Sequence, residues 1–346
     1  MKVLIVGGGI AGLTTALQLL NRNISFILID QGENNSTLPA TGIINPIVFR
    51  RTTKSWRVDQ FLPSLIEFYS KLEKETKQSF FYPLKLRRIF SSIQEKEEWI
   101  KKQTCEEFKP YLEKINSKDD SYSLVKSPFG TARVKQCYWV NSEMFMSSCQ
   151  KYLTANKKII EEKFDFEKYN PTLKTYKHIY YDKVIFCEGS DVQHNPLFNY
   201  LNVRPTKGQI LTLSVDAIPE EELLNRKCFV LPIGNGYFKV GSTYEWNAAD
   251  ALPTKDGKQK ILDNLQVLTT TPPKIIAHSA GIRPTTYDRR PFIGEHQKFK
   301  DNFIFNGLGT KGYMIAPLLS KELTEHIFQG VPLHKEVLID RIKIDW

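Results

Sequence analysis

Three glycines near the N-terminus have the spacing that lets a backbone approach a phosphate closely. They form Gly7-x-Gly9-x-x-Gly12, between the apolar run Lys2 to Val6 and a segment with apolar residues at helical spacing. Without side chains, backbone N–H groups can reach a pyrophosphate at the positive end of a helix. Asp30 lies 18 residues after Gly12, where a carboxylate can accept hydrogen bonds from a ribose. In this context the glycines predict dinucleotide binding, whereas alone they would indicate only a tight turn.

A second glycine-rich segment lies near the C-terminus. Phe303 to Phe305 predicts a strand, and Gly307 to Gly312 contains three glycines before an apolar helix predicted from about Tyr313 to Phe328. Such a junction can aim N–H groups at a ligand that gains negative charge, and Lys311 could add a full positive charge. The alternative is a glycine-rich loop that only starts a helix.

Arg283, within Gly-Ile-Arg-Pro, is a candidate anchor for an anionic substrate. A guanidinium fork binds a carboxylate through two parallel charge-assisted hydrogen bonds. The nearby Asp288, Arg289 and Arg290 could instead make Arg283 part of a structural ion-pair cluster. Tyr244 is a candidate second donor or lid, although a tyrosine on a strand is more often a packing residue.

The elements that must position these residues fall into two kinds. The N-terminal run, the glycine turn, the first helix and Phe26 to Ile29 form a β-α-β unit, for which parallel strands and a right-handed crossover are expected. From Gly208 onward, short strands at 210–213, 228–231 and 237–240, with an Asn235-Gly236 turn, predict an antiparallel sheet. Rossmann-type elements therefore lie at both ends of the chain. We predict an α/β fold (α+β overall) with two interleaved domains.

Other patterns predict local elements. Asp59 resembles a helix N-cap with Pro63 in the first turn, and Ser142 resembles the cap of a further helix. Short extended segments are expected around Ile159 and Phe164, and Val184 to Cys187 is a candidate buried strand.

The charge of the chain is unevenly distributed. The formal net charge is +10, and residues 50–109 hold 14 Lys or Arg against 9 Asp or Glu, which is half of the excess. A plain solvated face is the first interpretation, because excess lysine commonly serves solubility. The alternative is recognition of an anionic or nucleic-acid partner.

Composition narrows the class of protein. The 346 residues suggest about two domains. The five cysteines and six histidines are scattered, so we expect no disulfide framework, no metal site and a reducing compartment. No apolar run approaches the roughly 20 residues of a membrane span, and the initial apolar run breaks into glycines without a cleavage site. We therefore expect a cytoplasmic protein without a membrane partner.

The order of the motifs is similar to that of a known family. The chain resembles the D-amino-acid oxidase (DAO) family of FAD-dependent oxidoreductases, which includes glycine and sarcosine oxidases. The resemblance extends from residue 1 to about residue 328. It is carried by Gly7 to Gly12 with Asp30, Ala40 to Ile44, Val184 to Gly189, Gly241 to Tyr244, Gly281 to Pro284 and Gly307 to Met314.

The resemblance implies a fold, a cofactor and a site. A discontinuous FAD-binding domain (residues 1–50, 139–205 and 276–346) would be interleaved with a substrate domain (51–138 and 206–275) built on a large antiparallel sheet. FAD is expected to be non-covalent, since no covalent attachment motif is found. The implied cofactor-binding residues are Gly7, Gly9, Ile10, Ala11, Gly12, Asp30, Thr41, Gly42, Ile43, Phe164, Glu188, Gly189, Gly309, Thr310, Lys311, Gly312, Tyr313 and Met314.

The implied reaction oxidises a C–N bond of a small amino acid or secondary amine. Hydride would pass from the carbon beside the amine to flavin N5, water would hydrolyse the imine, and O2 or another acceptor would reoxidise the flavin. Arg283 and Tyr244 are the implied substrate-binding residues. Phe229 and Ile233 stand where related oxidases often have tyrosine and arginine, so the substrate pocket lacks two polar groups that bind an amino acid in those enzymes. Arg50, Arg51 and Lys54 follow a flavin-proximal segment, and one of them could lie over the ring.

Three alternatives remain open from the sequence. Some motifs are also similar to the FAD domain of the bacterial enzyme that removes a carboxymethyl group from a tRNA wobble uridine, a glycine-like amine on a polyanion. A pyridine-nucleotide dehydrogenase would share the N-terminal fingerprint without a flavin. A nucleic-acid-binding module would use the basic stretch.

Overall fold

The chain folds around two large β-sheets. The computed structural model describes residues 1–33, 36–115, 125–215, 218–246 and 250–342. The α-helices are α1 (Ile10–Asn21), α2 (Val58–Thr76), α3 (Ile93–Lys102), α4 (Ser142–Ala155), α5 (Lys255–Leu265) and α6 (Gly312–Gln329). The strands are β1 (Lys2–Val6), β2 (Ser25–Asp30), β3 (Ile43–Ile44), β4 (Ile47–Val48), β5 (Thr53–Lys54), β6 (Phe81–Ile89), β7 (Thr131–Val140), β8 (Ile159–Glu161), β9 (Tyr169–Asn170), β10 (Thr175–Tyr176), β11 (Ile179–Tyr180), β12 (Lys183–Phe186), β13 (Arg204–Ser214), β14 (Leu223–Asn225), β15 (Phe229–Gly234), β16 (Tyr237–Gly241), β17 (Glu245–Trp246), β18 (Lys274–Thr285), β19 (Phe292–Glu295) and β20 (Asn302–Asn306).

The first sheet has six strands in the order β19-β20-β12-β1-β2-β8. All neighbours are parallel except β19 and β20. Its strands carry continuous apolar runs because helices α1 and α6 cover one face and aromatic residues around β9 and β10 cover the other. This arrangement confirms the predicted β-α-β unit and its parallel strands.

The second sheet has nine strands. Eight follow the order β17-β13-β16-β15-β14-β6-β7-β3, and β18 pairs with β13. The long strands β13 and β18 are antiparallel and place Arg283 opposite Thr206. The pair β14 and β6 is parallel, so the sheet is mostly rather than wholly antiparallel. The mixed α/β fold class is confirmed.

Several predicted local boundaries differ from the structure. Helix α2 begins at Val58 after a left-handed Arg57, so Asp59 is inside the helix and Pro63 lies in its second turn. Helix α4 is capped by the Asn141 side chain, whereas the Ser142 hydroxyl donates to the carbonyl oxygens of residues 38 and 40. Phe164 lies in the loop after β8 and not in an extended strand. The Asn235-Gly236 turn between β15 and β16 is confirmed.

The two sheets draw on the predicted domain segments in different ways. Every strand of the six-stranded sheet lies in the three segments predicted to bind FAD. In the nine-stranded sheet, β3 comes from a predicted FAD-binding segment, and β7, β13 and β18 cross the predicted boundaries after residues 138, 205 and 275. The division into two domains stays a prediction.

Within the described residues, no helix is both long enough and apolar enough to cross a membrane. The same residues contain no group of three or more His, Cys, Asp or Glu side chains that could hold a metal ion. All five cysteines are free, and four of them are buried.

Candidate cofactor and substrate site

A cavity of about 700 Å³ opens where the parallel strands of the six-stranded sheet end. The residues after β1, β2, β12 and β20 converge on it, and the nine-stranded sheet forms another part of its wall. Ligands of open α/β sheets bind at this carboxyl edge. The predicted residues on the wall are Gly7, Gly9, Ile10, Ala11, Asp30, Thr41, Gly42, Ile43, Phe164, Glu188, Gly189, Arg283, Gly309, Thr310, Lys311, Gly312 and Tyr313.

The N-terminal glycine loop has no room for side chains. A Cβ atom on Gly12 would lie 1.8 Å from the carbonyl oxygen of Gly7, and one on Gly8 would lie 2.6 Å from the Asp30 carboxyl carbon. Gly8 also donates its N–H to Asp30 Oδ1 at 2.8 Å. The N–H of Ile10, the first residue of α1, donates to Thr37 Oγ1 at 3.0 Å, and the positive end of the helix dipole favours an anion at this terminus. The loop therefore fits the pyrophosphate of a dinucleotide.

Two carboxyl groups line the cavity beside this loop. Burial raises the pKa of Asp30, although the N–H groups of Gly8 and Gly32 partly offset the shift. Glu188 accepts a hydrogen bond from Asn195 Nδ2 at 2.6 Å, and burial raises its pKa to about 8. Both groups can accept hydrogen bonds from hydroxyls of a bound nucleotide.

The C-terminal glycine segment brings Lys311 to the cavity wall. Gly309 donates its N–H to the carbonyl oxygen of Pro284 at 3.1 Å, which joins this segment to strand β18. Lys311 Nζ hydrogen-bonds the Ser55 hydroxyl, and burial lowers the pKa of Lys311 to about 8. The expectation of a cation from Arg50, Arg51 or Lys54 over the site is not supported, because none of the three lines the cavity.

Arg283 reaches the cavity from β18. Its Nη1 donates to the carbonyl oxygen of Thr243 at 3.2 Å, and its Nη2 donates to Ser242 Oγ at 2.8 Å. The guanidinium lies against the backbone of Gly208, where a Cβ atom would be 1.9 Å from Nη2. Burial lowers the pKa of Arg283.

The neighbouring ion pairs do not include Arg283. Asp288 pairs with Arg341 at 2.9 Å, and Arg290 pairs with Glu336 at 2.7 Å. Within the described ranges, no carboxylate forms a salt bridge with Arg283. The structural ion-pair interpretation of Arg283 is therefore not supported by this geometry.

Three predicted residues lie off the cavity wall. Gly12 packs against Gly7, and Met314 is buried within α6. Tyr244 is 38% exposed, with its ring centroid 5.4 Å from the Arg283 guanidinium and 5.1 Å from the Trp246 ring. Tyr244 thus contacts Arg283 from outside the wall.

The wall also contains residues that the sequence analysis missed. Polar groups come from Asn45, Asn225 and Ser242, and apolar side chains come from Leu86 and Leu223. Leu223 and Asn225 share strand β14, and the others lie on different strands or loops without a common sequence pattern, so the tertiary fold brings them together. Phe229 lines the wall as well, whereas Ile233 does not.

Comparison with known proteins decides the family. The sequence model of the DAO family, described as FAD dependent oxidoreductase, matches residues 2–326. The chain belongs to this family. The glycine oxidase of Pseudomonas aeruginosa is 24% identical to this FAD-dependent oxidoreductase, and the match covers 94% of each chain. The crystal structure of glycine oxidase from Geobacillus kaustophilus has a TM-score of 0.79 to it over 96% of each chain, at 16% identity.

The second resemblance has a shorter match. The tRNA 5-methylaminomethyl-2-thiouridine biosynthesis bifunctional protein of Marinobacter nauticus is 27% identical over 144 residues. The match covers 37% of this FAD-dependent oxidoreductase and 22% of that protein. Membership of the DAO family and its FAD-dependent class is confirmed, whereas the substrate is not given by these likenesses.

Proposed function

We propose that this FAD-dependent oxidoreductase oxidises a C–N bond of a small amine that carries a carboxylate, with FAD bound non-covalently. The observation that supports the substrate class is Arg283, whose guanidinium reaches the cavity wall and bonds only a carbonyl oxygen and a hydroxyl within the described chain. A half-buried guanidinium without a carboxylate partner is well suited to bind one from a ligand.

The residues that would hold FAD are those of the two glycine segments and the acids beside them. Gly7 to Gly12 fits the pyrophosphate, and Asp30 and Glu188 are placed to accept hydrogen bonds from nucleotide hydroxyls. Lys311 would supply positive charge near the opposite glycine segment. When bound, FAD would supply the oxidising equivalent by accepting hydride from the carbon beside the amine nitrogen.

The chain's own contribution is orientation of the substrate. Arg283 would hold the carboxylate, so that the adjacent C–H group points in one direction. Leu86, Leu223 and Phe229 give this part of the wall an apolar surface that limits water. Asn225 is a further hydrogen-bonding group on the same wall.

The basic stretch does not carry a tRNA function by itself. At least seven of the 14 basic residues between 50 and 109 form ion pairs within the fold. Arg57 pairs with Glu322 in α6, for example, and Arg87 bonds Glu222 at 2.6 Å. At least half of these charges are therefore paired within the chain, and a modified tRNA is one candidate substrate among several.

Anaerobic mixing tests the proposed function. The purified protein should show a flavin absorbance spectrum, which separates it from a pyridine-nucleotide dehydrogenase. Glycine, sarcosine, D-amino acids, proline and tRNA bearing the carboxymethylaminomethyl group should each be mixed with it in the absence of O2. We expect at least one carboxylate-bearing amine to bleach the flavin. Failure of every such amine to reduce it would refute the proposal.

Asp30 provides a test of the cofactor site. We expect Asp30→Ala to bind FAD more weakly by about 1 to 3 kcal/mol, because a charged hydrogen-bond acceptor is lost from the nucleotide and from the Gly8 N–H. Titration of the apoprotein with FAD measures this change. The matched control is Glu161→Ala, since Glu161 lies opposite Asp30 on β8 but is exposed. Equal FAD affinity in wild type and Asp30→Ala would rule out the assigned role.

A further inference from the structure

A polar cluster, of which Gln209 and Thr243 are buried, lies behind Arg283 on the other face of β13. It consists of Gln209, Thr243, Glu245 and Thr254, and we call it the Gln209 cluster. Gly208 faces the Arg283 guanidinium. Because side chains alternate along a strand, Gln209 points to the opposite face, where it is fully buried.

The Gln209 side chain is fully hydrogen-bonded. Its Nε2 donates to Glu245 Oε1 at 2.6 Å and to Thr254 Oγ1 at 2.9 Å, and its Oε1 accepts from the Thr254 N–H at 2.8 Å. Helix α5 closes the cluster, since a Cβ atom on Gly257 would lie 2.1 Å from Gln209 Nε2. The amide is therefore held in one orientation.

Thr243 is the member of the cluster that also contacts Arg283. Its hydroxyl donates to Glu245 Oε1 at 2.9 Å and accepts from the Gln209 N–H at 3.0 Å. The carbonyl oxygen of the same residue accepts from Arg283 Nη1, and the preceding Ser242 accepts from Nη2. One short segment is thus fixed by the cluster on one side and holds the guanidinium on the other.

Stability alone is a weak explanation for such a cluster. The fully buried Gln209 amide and the half-buried Glu245 carboxylate pay a desolvation cost that apolar residues would avoid, whereas a hydrogen-bonded polar network specifies a single geometry. The geometry specified here is that of the Ser242-Thr243 segment.

We propose that Glu245 and Gln209 are positioning residues, which fix the Ser242-Thr243 segment and through it the direction in which Arg283 presents its guanidinium to the substrate carboxylate. This inference rests on the proposed function. Neither side chain lines the cavity, so both act through Arg283. Loss of either is expected to weaken binding of the carboxylate and to leave FAD binding unchanged.

The test uses the FAD-loaded protein and two ligands. Acetate is the carboxylate probe, and its binding is measured by the change that it causes in the flavin spectrum. Sarcosine is the substrate. We expect Glu245→Ala to raise the Kd for acetate and the KM for sarcosine by about ten- to a hundredfold, in line with the cost of a misplaced binding group, with a smaller change in kcat. Glu245→Gln should restore most of the affinity, because its amide oxygen can accept both hydrogen bonds.

Two further variants complete the test. Thr243→Val removes the bridging hydroxyl at nearly constant volume. If Glu245→Ala does not fold, Thr243→Val tests the positioning role in its place. Asp250→Ala is the control, since this exposed carboxylate pairs with Lys207 outside the cluster. A lower melting temperature with unchanged Kd for acetate in Glu245→Ala or Thr243→Val would overturn the proposal. The acetate measurement also stands if sarcosine fails to reduce the flavin, so the two proposals can fail separately.

Discussion

Arg283→Ala is expected to lose about 2 to 5 kcal/mol of binding for carboxylate-bearing amines, because the substrate carboxylate loses its charged partner in a desolvated site. The flavin spectrum should persist, since the two glycine segments and the acids beside them, rather than Arg283, would hold FAD. Flavin reduction as a function of amine concentration measures the loss. The expected result is a separation of substrate binding from cofactor binding.

Three variants control this experiment. Gly208→Ala should reproduce much of the effect, because the added Cβ atom would lie 1.9 Å from Arg283 Nη2 and displace the guanidinium. Arg283→Lys should not restore binding, since an ammonium cannot form the two parallel bonds of a guanidinium. Arg204→Ala, at the exposed start of β13, should have no effect. Wild-type behaviour of Arg283→Lys, or equal reduction by amines that lack a carboxylate, would eliminate the anchor hypothesis.

Local patterns predicted the parts of the site that depend on neighbouring residues. The strand, glycine turn and helix of residues 2–21 form as expected because a helix N-terminus and a close backbone approach are set within a few residues. The same reasoning applies to the junction between β20 and α6. Helix α6 begins one residue before its predicted start at Tyr313. Both segments reach the cavity wall because parallel strands end at a common edge.

Contacts between distant residues could not be predicted in this way. Ser55 meets Lys311 across 256 positions of the chain, and Gln209 meets Thr254 across 45. The predicted N-cap of α4 was wrong for a related reason. Asn141 rather than Ser142 caps α4, because the Ser142 hydroxyl is bound to carbonyl groups about a hundred residues away. Competition from tertiary contacts is absent from any local pattern.

Lys311→Met is expected to stabilise the apoprotein and to impair the cofactor site. Burial lowers the pKa of Lys311 to about 8, and within the described residues only the Ser55 hydroxyl hydrogen-bonds its amine. The folded state therefore holds this proton less tightly than the unfolded state does. Stability should rise with pH between about 8 and the unfolded value, because the unfolded chain binds more protons there. Below about pH 8, the protonated Lys311 amine lowers the free energy of unfolding by its full amount.

The variant should consequently gain about 1 to 3 kcal/mol at pH 7, and the gain should shrink as the pH rises above about 8, where the wild-type amine becomes neutral. Chemical denaturation of the apoprotein at pH 7 and pH 10 measures this difference. Lys54→Met is the control, since that lysine pairs with Asp59 at 2.6 Å and lies off the cavity wall. In the FAD-loaded protein, loss of the positive charge should lower the flavin midpoint potential at pH 7, because a cation favours the more negative reduced form. A destabilised variant at pH 7, or a gain that does not change with pH, would show that Lys311 is not a buried charge held for the cofactor.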